Sequence, residues 1–358
     1  MSTFVDPHSK ILAHVDRLAA WKDGRKAAPI TIEWDLTNRC DLGCNGCHFG
    51  YTHTRGPLAH KREKPVGAIS GGDVADTAMV LRALGQAQAA GVNAITWTGG
   101  GEPTLHPDFD AIVDHAHSLG LEQGLYTHGG HLTADLAAWL GPRLSWAVVS
   151  LDCLDAPSYA NYKGVQAKRF EQACQGIRNL SAAGGCTVGV SFLLDGNNYH
   201  QAIDMMELGL GLGADYVTFR PMVLYAMDDP AVSTGDSSWI DQAMPMLKWL
   251  SIQPGAECLP ERFAEYRDWK RERPYGACYG IRHNTTITPN GKMWLCPNRR
   301  EFPDSCLGDL TQESFSDIWA RHPGEWTNFE KCRVFCRLHM VNQTVWQVNK
   351  PRQHVNFI

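Results

Sequence analysis

The sequence predicts an α/β fold: a partial (β/α)6 TIM-like barrel followed by a small, cysteine-rich, hairpin-plus-helix domain at the C-terminal end. Strand-like and helix-like segments alternate from about residue 31 to about residue 222. Polar and glycine-rich motifs recur where consecutive strands end, as they do in barrels with a site at one face. The chain has 358 residues, 44% of them apolar, which is enough to bury the core of such a fold.

Six β/α units follow one another in the predicted barrel. Their succession indicates a parallel sheet wound in one direction, either an open doubly wound sheet or a barrel. The motifs at the carboxyl ends of the strands favour the barrel. The predicted strands are TIEWDLT, AITWTGG, LEQGLYTH, WAVVSLDC, CTVGVSFLL and DYVTFRPM.

The same pattern divides the chain into four parts. Residues 1–30 form an N-terminal helix and lead-in, residues 31–230 form the barrel, and residues 231–270 form a helical connection. Residues 271–358 form the cysteine-bearing domain. Within it, the Asn-Gly pair of TTITPNGKMWLC predicts a hairpin, because both residue types adopt positive φ readily.

Composition excludes several classes of protein. With 33 basic and 38 acidic residues the formal charge is −5, so the chain lacks the basic field of a dedicated nucleic-acid binder. No apolar run approaches the roughly 18 residues that span a bilayer, and the N-terminus does not resemble a signal peptide. We therefore expect a cytoplasmic protein without membrane contact. Twelve cysteines in such a chain favour metal or redox chemistry over disulfides.

Three cysteines, Cys40, Cys44 and Cys47, form a C-x3-C-x2-C array directly after the first predicted strand. Three thiolates can hold three irons of a cubane cluster and leave the fourth iron open for a cofactor or substrate. A structural zinc site closed by His48 is the alternative, since three cysteines and one histidine commonly bind zinc. The triad taken alone leaves both interpretations open.

The triad, followed by GGGEP at the end of the next strand, resembles the radical S-adenosylmethionine (SAM) superfamily from about residue 31 to the end of the chain. The resemblance implies a [4Fe-4S] cluster on Cys40, Cys44 and Cys47 whose unique iron binds SAM. It also implies an electron donor of the flavodoxin or ferredoxin type. Reductive cleavage of SAM would give a 5′-deoxyadenosyl radical that abstracts hydrogen from the substrate, with the protein positioning and shielding the cofactor.

The resemblance further implies cofactor-binding residues at the strand ends. The three glycines let the backbone approach the SAM ammonium closely. Lys163 stands where related enzymes have an arginine for the SAM carboxylate, although an ammonium lacks the guanidinium fork. Cys153, near the barrel mouth, is a candidate donor of a hydrogen atom to a product radical. The predicted cofactor-binding residues are Gly99, Gly100, Gly101, Glu102, Thr127, Ser150, Asp152, Lys163, Asn197 and Arg220.

Alternatives stand beside several of these residues. Glu102 is otherwise a surface carboxylate in a glycine turn, and Arg220 is otherwise a clamp between loops. Asn198 is an alternative to Asn197, and Cys153 is otherwise a small buried residue. His128 departs from the Thr-Asn-Gly run that the family often has at the end of the third strand, and its role is open.

The C-terminal cysteines suggest a second metal centre. Cys278 and Cys296, in a C-x12-G-x4-C arrangement across the hairpin, resemble SPASM and shorter twitch domains that carry auxiliary [4Fe-4S] clusters. We assign one auxiliary cluster to Cys278, Cys296, Cys332 and Cys336. Cys306 is a small core residue under this assignment, or it replaces one of the four. A four-cysteine zinc site is the alternative.

The substrate is less constrained than the cofactors. Only some thirty residues precede the barrel, whereas peptide-modifying relatives often carry a separate N-terminal recognition domain. We therefore rank a small polar substrate (a sugar, aminocyclitol or nucleotide-type metabolite) above a peptide, and a nucleobase in nucleic acid third. The expected outcome is oxidation, epimerisation or rearrangement. The basic insert HFGYTHTRGPLAHKREK is either a lid that meets anionic groups or a solvated loop. A zinc-stabilised binding module is the alternative of another class.

Overall fold

Six parallel strands in sequence order form the middle of the sheet. The structure is a computed structural model and describes residues 4–45, 47, 73–223, 236–268, 273–329, 332, 336–350 and 353–354. All six predicted barrel strands are present, each parallel to the next. Their bounds are β1 (Thr31–Asp35), β2 (Ala94–Thr98), β3 (Glu122–Thr127), β4 (Trp146–Ser150), β5 (Thr187–Leu194) and β6 (Tyr216–Pro221).

Helices follow the strands and pack on one face of the sheet. Asp76, Thr133 and Asp155 begin three of them, because each side chain accepts a backbone N–H of the first turn. The single N-terminal helix that we predicted is two short helices. No helix in the described ranges is both long and apolar enough to cross a membrane. The helices are α1 (Pro7–Leu12), α2 (Val15–Lys22), α3 (Thr77–Ala90), α4 (Phe109–Ser118), α5 (Ala134–Leu140), α6 (Ala156–Lys163), α7 (Lys168–Ala183), α8 (Ala202–Gly211), α9 (Trp239–Leu250), α10 (Pro260–Arg267), α11 (Phe315–Ala320) and α12 (His339–Asn349).

The connection between barrel and C-terminal domain contains a strand as well as helices. The segment predicted as helical, residues 231–270, carries α9 and α10, and between them lies β7 (Ala256–Cys258). This strand pairs parallel with β6 and so extends the barrel by one unit. All three of its residues are buried, and three residues are too few for an alternation of apolar and polar residues to be recognised in a sequence.

The C-terminal domain continues the same sheet. Its strands are β8 (Asn284–Ile287), β9 (Lys292–Trp294) and β10 (Cys306–Asp309), and the predicted hairpin turns at Gly291, where φ is +78°. Strand β8 pairs parallel with β1, on the side opposite β2. The result is one ten-stranded sheet in the order β10-β9-β8-β1-β2-β3-β4-β5-β6-β7. Among the described strands the first and last of this order do not pair, so the sheet is open, as predicted for a partial barrel.

The two faces of this sheet differ in chemistry. Ile32 and Trp34 of β1 are fully buried in the main core, with the helices. Glu33 and Asp35 alternate with them and therefore point to the inner face. Because residues paired across parallel strands share a face, the register extends this polar inner face to Thr96, Thr98, Tyr126, Ser150, Ser191, Thr218, Arg220 and Glu257.

Candidate active site

The C-x3-C-x2-C cysteines follow β1 on a loop, here called the cysteine loop and defined by Cys40, Cys44 and Cys47. The amide of Gly43 donates to the carbonyl of Lys163, the last residue of α6, at 2.6 Å, and the amide of Cys47 donates to the Cys44 carbonyl at 3.1 Å. Backbone hydrogen bonds thus fix the loop both to itself and to a helix of the barrel.

The cysteines of the cysteine loop are half-buried. Burial raises the pKa of Cys40 far above its usual value and that of Cys44 to about 11, where the nearby Lys163 ammonium opposes the rise. Such thiols keep their protons near neutral pH, and a metal must displace those protons to bind sulfur. Three neighbouring thiols fit a [4Fe-4S] centre with one iron open to another ligand.

The glycine loop, residues 99–101, packs directly against the start of the cysteine loop. The amide of Gly101 donates to the carbonyl of Thr37 at 2.9 Å. A Cβ atom at Gly101 would lie 2.0 Å from the Arg39 carbonyl oxygen, and one at Gly100 would lie 1.8 Å from a neighbouring side-chain oxygen. Glycine is required here because only a residue without Cβ allows this approach.

Glu102 joins the loops after β2 and β3. Its side chain is buried; Oε1 accepts from the hydroxyls of Thr127 at 2.7 Å and Thr104 at 2.8 Å, and Oε2 accepts from the amide of His128 at 2.8 Å. The alternative of a surface carboxylate is therefore wrong. Thr127 donates its one hydroxyl proton to Glu102 and accepts from the Gly129 amide at 3.0 Å, so it supports Glu102.

The Asp41 carboxylate contacts three basic side chains, and the sequence did not predict this cluster. Its Oδ1 lies 2.8 Å from His128 Nε2, its Oδ2 lies 3.0 Å from His131 Nε2, and Arg169 also bonds Oδ2. The amide of Gly130 donates to His128 Nδ1 at 3.0 Å. The proton of a neutral His128 therefore sits on Nε2 and is donated to Asp41.

This cluster ties the cysteine loop to the loop after β3 and to α7. Burial alone would raise the pKa of Asp41, but the hydrogen bonds from His128 and His131 outweigh it and hold that pKa below its usual range. His128, which departs from the Thr-Asn-Gly run that the family often has, thus has a structural role. Its departure from the pattern was the one available signal, since Arg169 lies 128 residues from Asp41.

Asp152 and Lys163 form a buried ion pair beside the cysteine loop. The Lys163 Nζ lies 2.6 Å from Asp152 Oδ2, and both side chains are about 5% exposed or less. The Leu193 amide donates to the other Asp152 oxygen at 3.1 Å. Burial would lower the pKa of Lys163, but Asp152 together with Cys44 and two neighbouring tyrosines more than offsets burial and raises that pKa. Lys163 therefore already has a carboxylate partner, which a SAM carboxylate would have to share.

The other strand-end residues differ in their availability to a ligand. The hydroxyl of Ser150, on the inner face, makes no hydrogen bond to any described residue. Asn197 is exposed, and its backbone N–H donates to the Asp195 carboxylate at 2.8 Å. The side chain of Asn198 donates to a backbone carbonyl at 2.9 Å. Cys153 packs in the main core, and burial raises its pKa to about 12. Ser150 is the best placed of the four; Cys153 as hydrogen donor stays a prediction.

Arg220 crosses the inner face of the sheet to reach Tyr126. Its Nη2 donates to the Tyr126 hydroxyl at 3.0 Å, and its guanidinium carbon lies 5.7 Å from the ring centre. Burial would raise the pKa of Tyr126, but Arg220 and Arg337 together more than offset burial and lower that pKa. No carboxylate within the described ranges pairs with Arg220, so its remaining N–H donors suit an anionic or carbonyl group.

Two acidic residues of β1 contact the C-terminal domain across the inner face. Arg300 bonds Asp35 and lies 3.8 Å from Glu33, and Arg337 lies 2.9 Å from Glu33. Burial raises the pKa of Asp35 to about 6, against the opposing effect of Arg300. Sequence reasoning missed this charge cluster because Asp35 and Arg300 are 265 residues apart.

Four cysteines of the C-terminal domain, Cys278, Cys296, Cys332 and Cys336, line one small cavity. Burial, reinforced by the neighbouring thiols, raises the pKa of Cys278 to about 12 and that of Cys296 further. Four convergent thiols fit a cluster in which every iron has a protein ligand. Cys306 is exposed and lies outside this cavity, so its interpretation as a core residue is wrong.

The basic insert lies outside the described residues, so its interpretation as a lid stays a prediction. The same holds for the alternative zinc ligand His48. The basic side chains named for the insert are His48, His53, Arg55, Lys61, Arg62 and Lys64.

An iron–sulfur enzyme on a partial α/β barrel is the class that the cysteine loop and the four-cysteine cavity define. The model of the radical SAM superfamily matches residues 34–209, and that of the SPASM iron–sulfur cluster-binding domain matches residues 278–338. The mycofactocin maturase MftC of Mycobacterium ulcerans (strain Agy99) is 30% identical over 310 residues, which are 83% of this chain and 76% of that protein. This chain belongs to the radical SAM superfamily and carries a SPASM domain.

Further comparisons agree on family and fold. The PqqA peptide cyclase of Methylorubrum extorquens (strain PA1) is 25% identical over 309 residues, 83% of this chain and 73% of that protein. Streptococcus suis SuiB bound to precursor peptide SuiA has a TM-score of 0.61 at 15% identity, over 93% of this chain and 76% of that one. Native anSMEcpe with bound AdoMet has a TM-score of 0.60 at 10% identity, over 88% of each chain. The predicted superfamily, fold and cofactors, SAM and [4Fe-4S] clusters, are confirmed.

Proposed function

We propose that this radical SAM enzyme modifies a peptide. Our ranking from the sequence put a small polar substrate first, and the comparisons favour the peptide alternative. The observation that carries the proposal is the extent of similarity to a PqqA peptide cyclase, which covers 83% of this chain and thus reaches beyond the cofactor-binding segment. SuiB, which shares the fold, has been solved with a precursor peptide.

The residues that we assign to the cofactor lie around one mouth of the barrel. When bound, the cluster and SAM supply the one-electron chemistry that starts hydrogen abstraction. We assign the cluster to Cys40, Cys44 and Cys47, with the electron delivered by a flavodoxin- or ferredoxin-type protein. The glycine loop offers backbone carbonyls to an ammonium group, and Glu102 holds that loop against the third strand.

The polar inner face suits a peptide substrate. Peptides carry many carbonyl oxygens and often carboxylates, and these groups accept hydrogen bonds from guanidinium and hydroxyl donors. Arg220, bonded to Tyr126, and Ser150 place such donors on the inner face near the strand ends. We assign both residues to this mouth, where Arg220 serves either the cofactor or the peptide.

The ligand set of the C-terminal cavity bears on the type of reaction. Four cysteine ligands leave no iron open, an arrangement that suits electron transfer. We therefore favour net oxidation of the peptide over epimerisation or rearrangement. Cys278, Cys296, Cys332 and Cys336 are the proposed ligands.

Hydrogen transfer from a labelled substrate tests the proposal. Anaerobically reduced holoenzyme is incubated with SAM and extract of source cells grown in deuterated medium, after the extract is separated into peptides and small metabolites. We expect deuterium in 5′-deoxyadenosine with the peptide fraction, and its loss after protease digestion of that fraction. A Cys40→Ala variant is the control for cluster-dependent chemistry. Label that follows the small-metabolite fraction, or that survives the protease, contradicts the proposal.

A further inference from the structure

Asn342 donates a hydrogen bond to a cysteine of the four-cysteine cavity. It lies on α12, its side chain is 1% exposed, and its Nδ2 lies 3.1 Å from Cys278 Sγ. The helix begins shortly after Cys336, another residue of the cavity. Helix α12 thus begins just after one cysteine of the cavity and donates a hydrogen bond to another.

The orientation of the Asn342 amide is fixed by backbone groups. Its Oδ1 accepts the amides of Tyr279 and Gly280, both at 2.7 Å. Only the oxygen end of a carboxamide can accept two N–H donors, so the NH2 end is the one that faces Cys278. The N–H to sulfur bond therefore follows from the network and does not depend on an arbitrary choice of amide flip.

The cavity also contains charged side chains. Arg273 and Arg299 line the same cavity. Burial raises the pKa of Cys332, and these two arginines oppose that rise. Asn342 supplies a neutral side-chain donor to Cys278.

We propose that Asn342 tunes the reduction potential of the auxiliary cluster, making it less negative through the hydrogen bond to Cys278. Reduction adds one electron, and part of that charge resides on the cysteine sulfurs. A donor to such a sulfur stabilises the reduced cluster more than the oxidised one. The inference rests on the ligand assignment of the cavity and is independent of the substrate class.

The test isolates the auxiliary cluster in the full chain. A background of Cys40→Ala, Cys44→Ala and Cys47→Ala removes the first cluster, and about four irons per chain then check the ligand assignment separately. In this background, Asn342→Leu removes the donor without adding charge. Asn342→Asp keeps an oxygen for the two backbone amides. Asn349→Asp, about 10 Å further along the same helix, is the matched control for charge.

We expect a more negative midpoint potential in both Asn342 variants and no shift in Asn349→Asp, by redox titration followed with EPR. Pulsed EPR in deuterated buffer should detect an exchangeable hydrogen coupled to the cluster that is lost in Asn342→Asp. An unchanged potential in both Asn342 variants, or a coupling that survives, overturns the proposal. Loss of iron from both variants also overturns it, since Asn342 would then be needed to assemble the site.

Discussion

At the scale of single residues, Lys163 shows how a family position acquires a local partner. The resemblance implied a contact with the SAM carboxylate, and the structure pairs the Lys163 ammonium with Asp152 at 2.6 Å in a buried setting. The backbone carbonyl of the same residue accepts from the cysteine loop. Lys163 therefore stabilises the region around Cys44 whether or not a ligand is bound.

Lys163→Met is expected to lower the free energy of unfolding by about 3–5 kcal/mol, because it leaves the Asp152 carboxylate buried without a counter-charge. Anaerobic urea unfolding measures the change. The double variant Lys163→Met/Asp152→Asn removes the stranded charge and should recover most of the loss. A single-variant loss below about 1 kcal/mol, typical of an exposed pair, would contradict the buried-pair interpretation.

Residues close in sequence were predictable, and contacts between distant residues were not. The triad and the glycines form local patterns whose spacing carries the chemistry. Asp41 with Arg169 and Asp35 with Arg300 are each brought together only by the fold. Their residue types gave no warning, because a charged residue in a sequence is ordinarily solvated.

At the scale of elements, the glycine loop and the cysteine loop form one interlocked unit. The Gly101 amide donates to the Thr37 carbonyl, and a Cβ atom on Gly101 would collide with the Arg39 backbone. Each loop therefore restricts the position of the other. Changes in the glycine loop can therefore disturb the first cluster, although this loop contains none of the cluster's ligands.

Gly101→Ala is expected to abolish the first cluster and spare the auxiliary one. The new methyl group would collide with backbone, at 2.0 Å from the Arg39 carbonyl oxygen, which cannot turn aside as a side chain can. Iron analysis should fall from about eight to about four per chain. Gly85→Ala, in α3 with nothing within 4 Å of its Cβ, is the matched control and should keep all iron. Full iron in Gly101→Ala would refute the interlock.

Element boundaries were predicted best where periodicity was long. The six barrel strands and the Asn-Gly hairpin were recognised because alternation and turn chemistry extend over several residues. Strand β7 has only three residues, too few for their alternation to be recognised, so the prediction merged it with its flanking helices. The pairing of β8 with β1 could not be read at all, because parallel pairing leaves no local signature in either strand.

At the scale of the whole molecule, buried histidines give stability a dependence on pH. His283 and His322 are buried, and desolvation lowers their pKa values to about 4 and about 3. Neither ring nitrogen of His283 has a hydrogen-bond partner among the described residues. The unfolded chain takes up these protons near pH 6.5 and the folded chain only at lower pH, so stability is full above that value and falls as the solution is acidified.

His283→Leu is expected to reduce this acid destabilisation. The variant cannot be protonated, and between about pH 7 and pH 4 it should lose about 3 kcal/mol less of its unfolding free energy than the parent chain. Urea unfolding across the pH series measures the slope. His117→Leu, at an exposed site on α4, controls for the loss of a histidine. Parallel pH profiles for His283→Leu and the parent would contradict the expectation.

The shared first strand has a practical consequence for anyone building hybrid enzymes. Strand β1 leads into the cysteine loop, pairs with β8, and points Glu33 and Asp35 at two arginines of the C-terminal domain. A chimera that exchanges only the SPASM domain would leave these two carboxylates without their arginine partners. The transplantable part is therefore discontinuous: the terminal portion must travel together with the strand that opens the barrel.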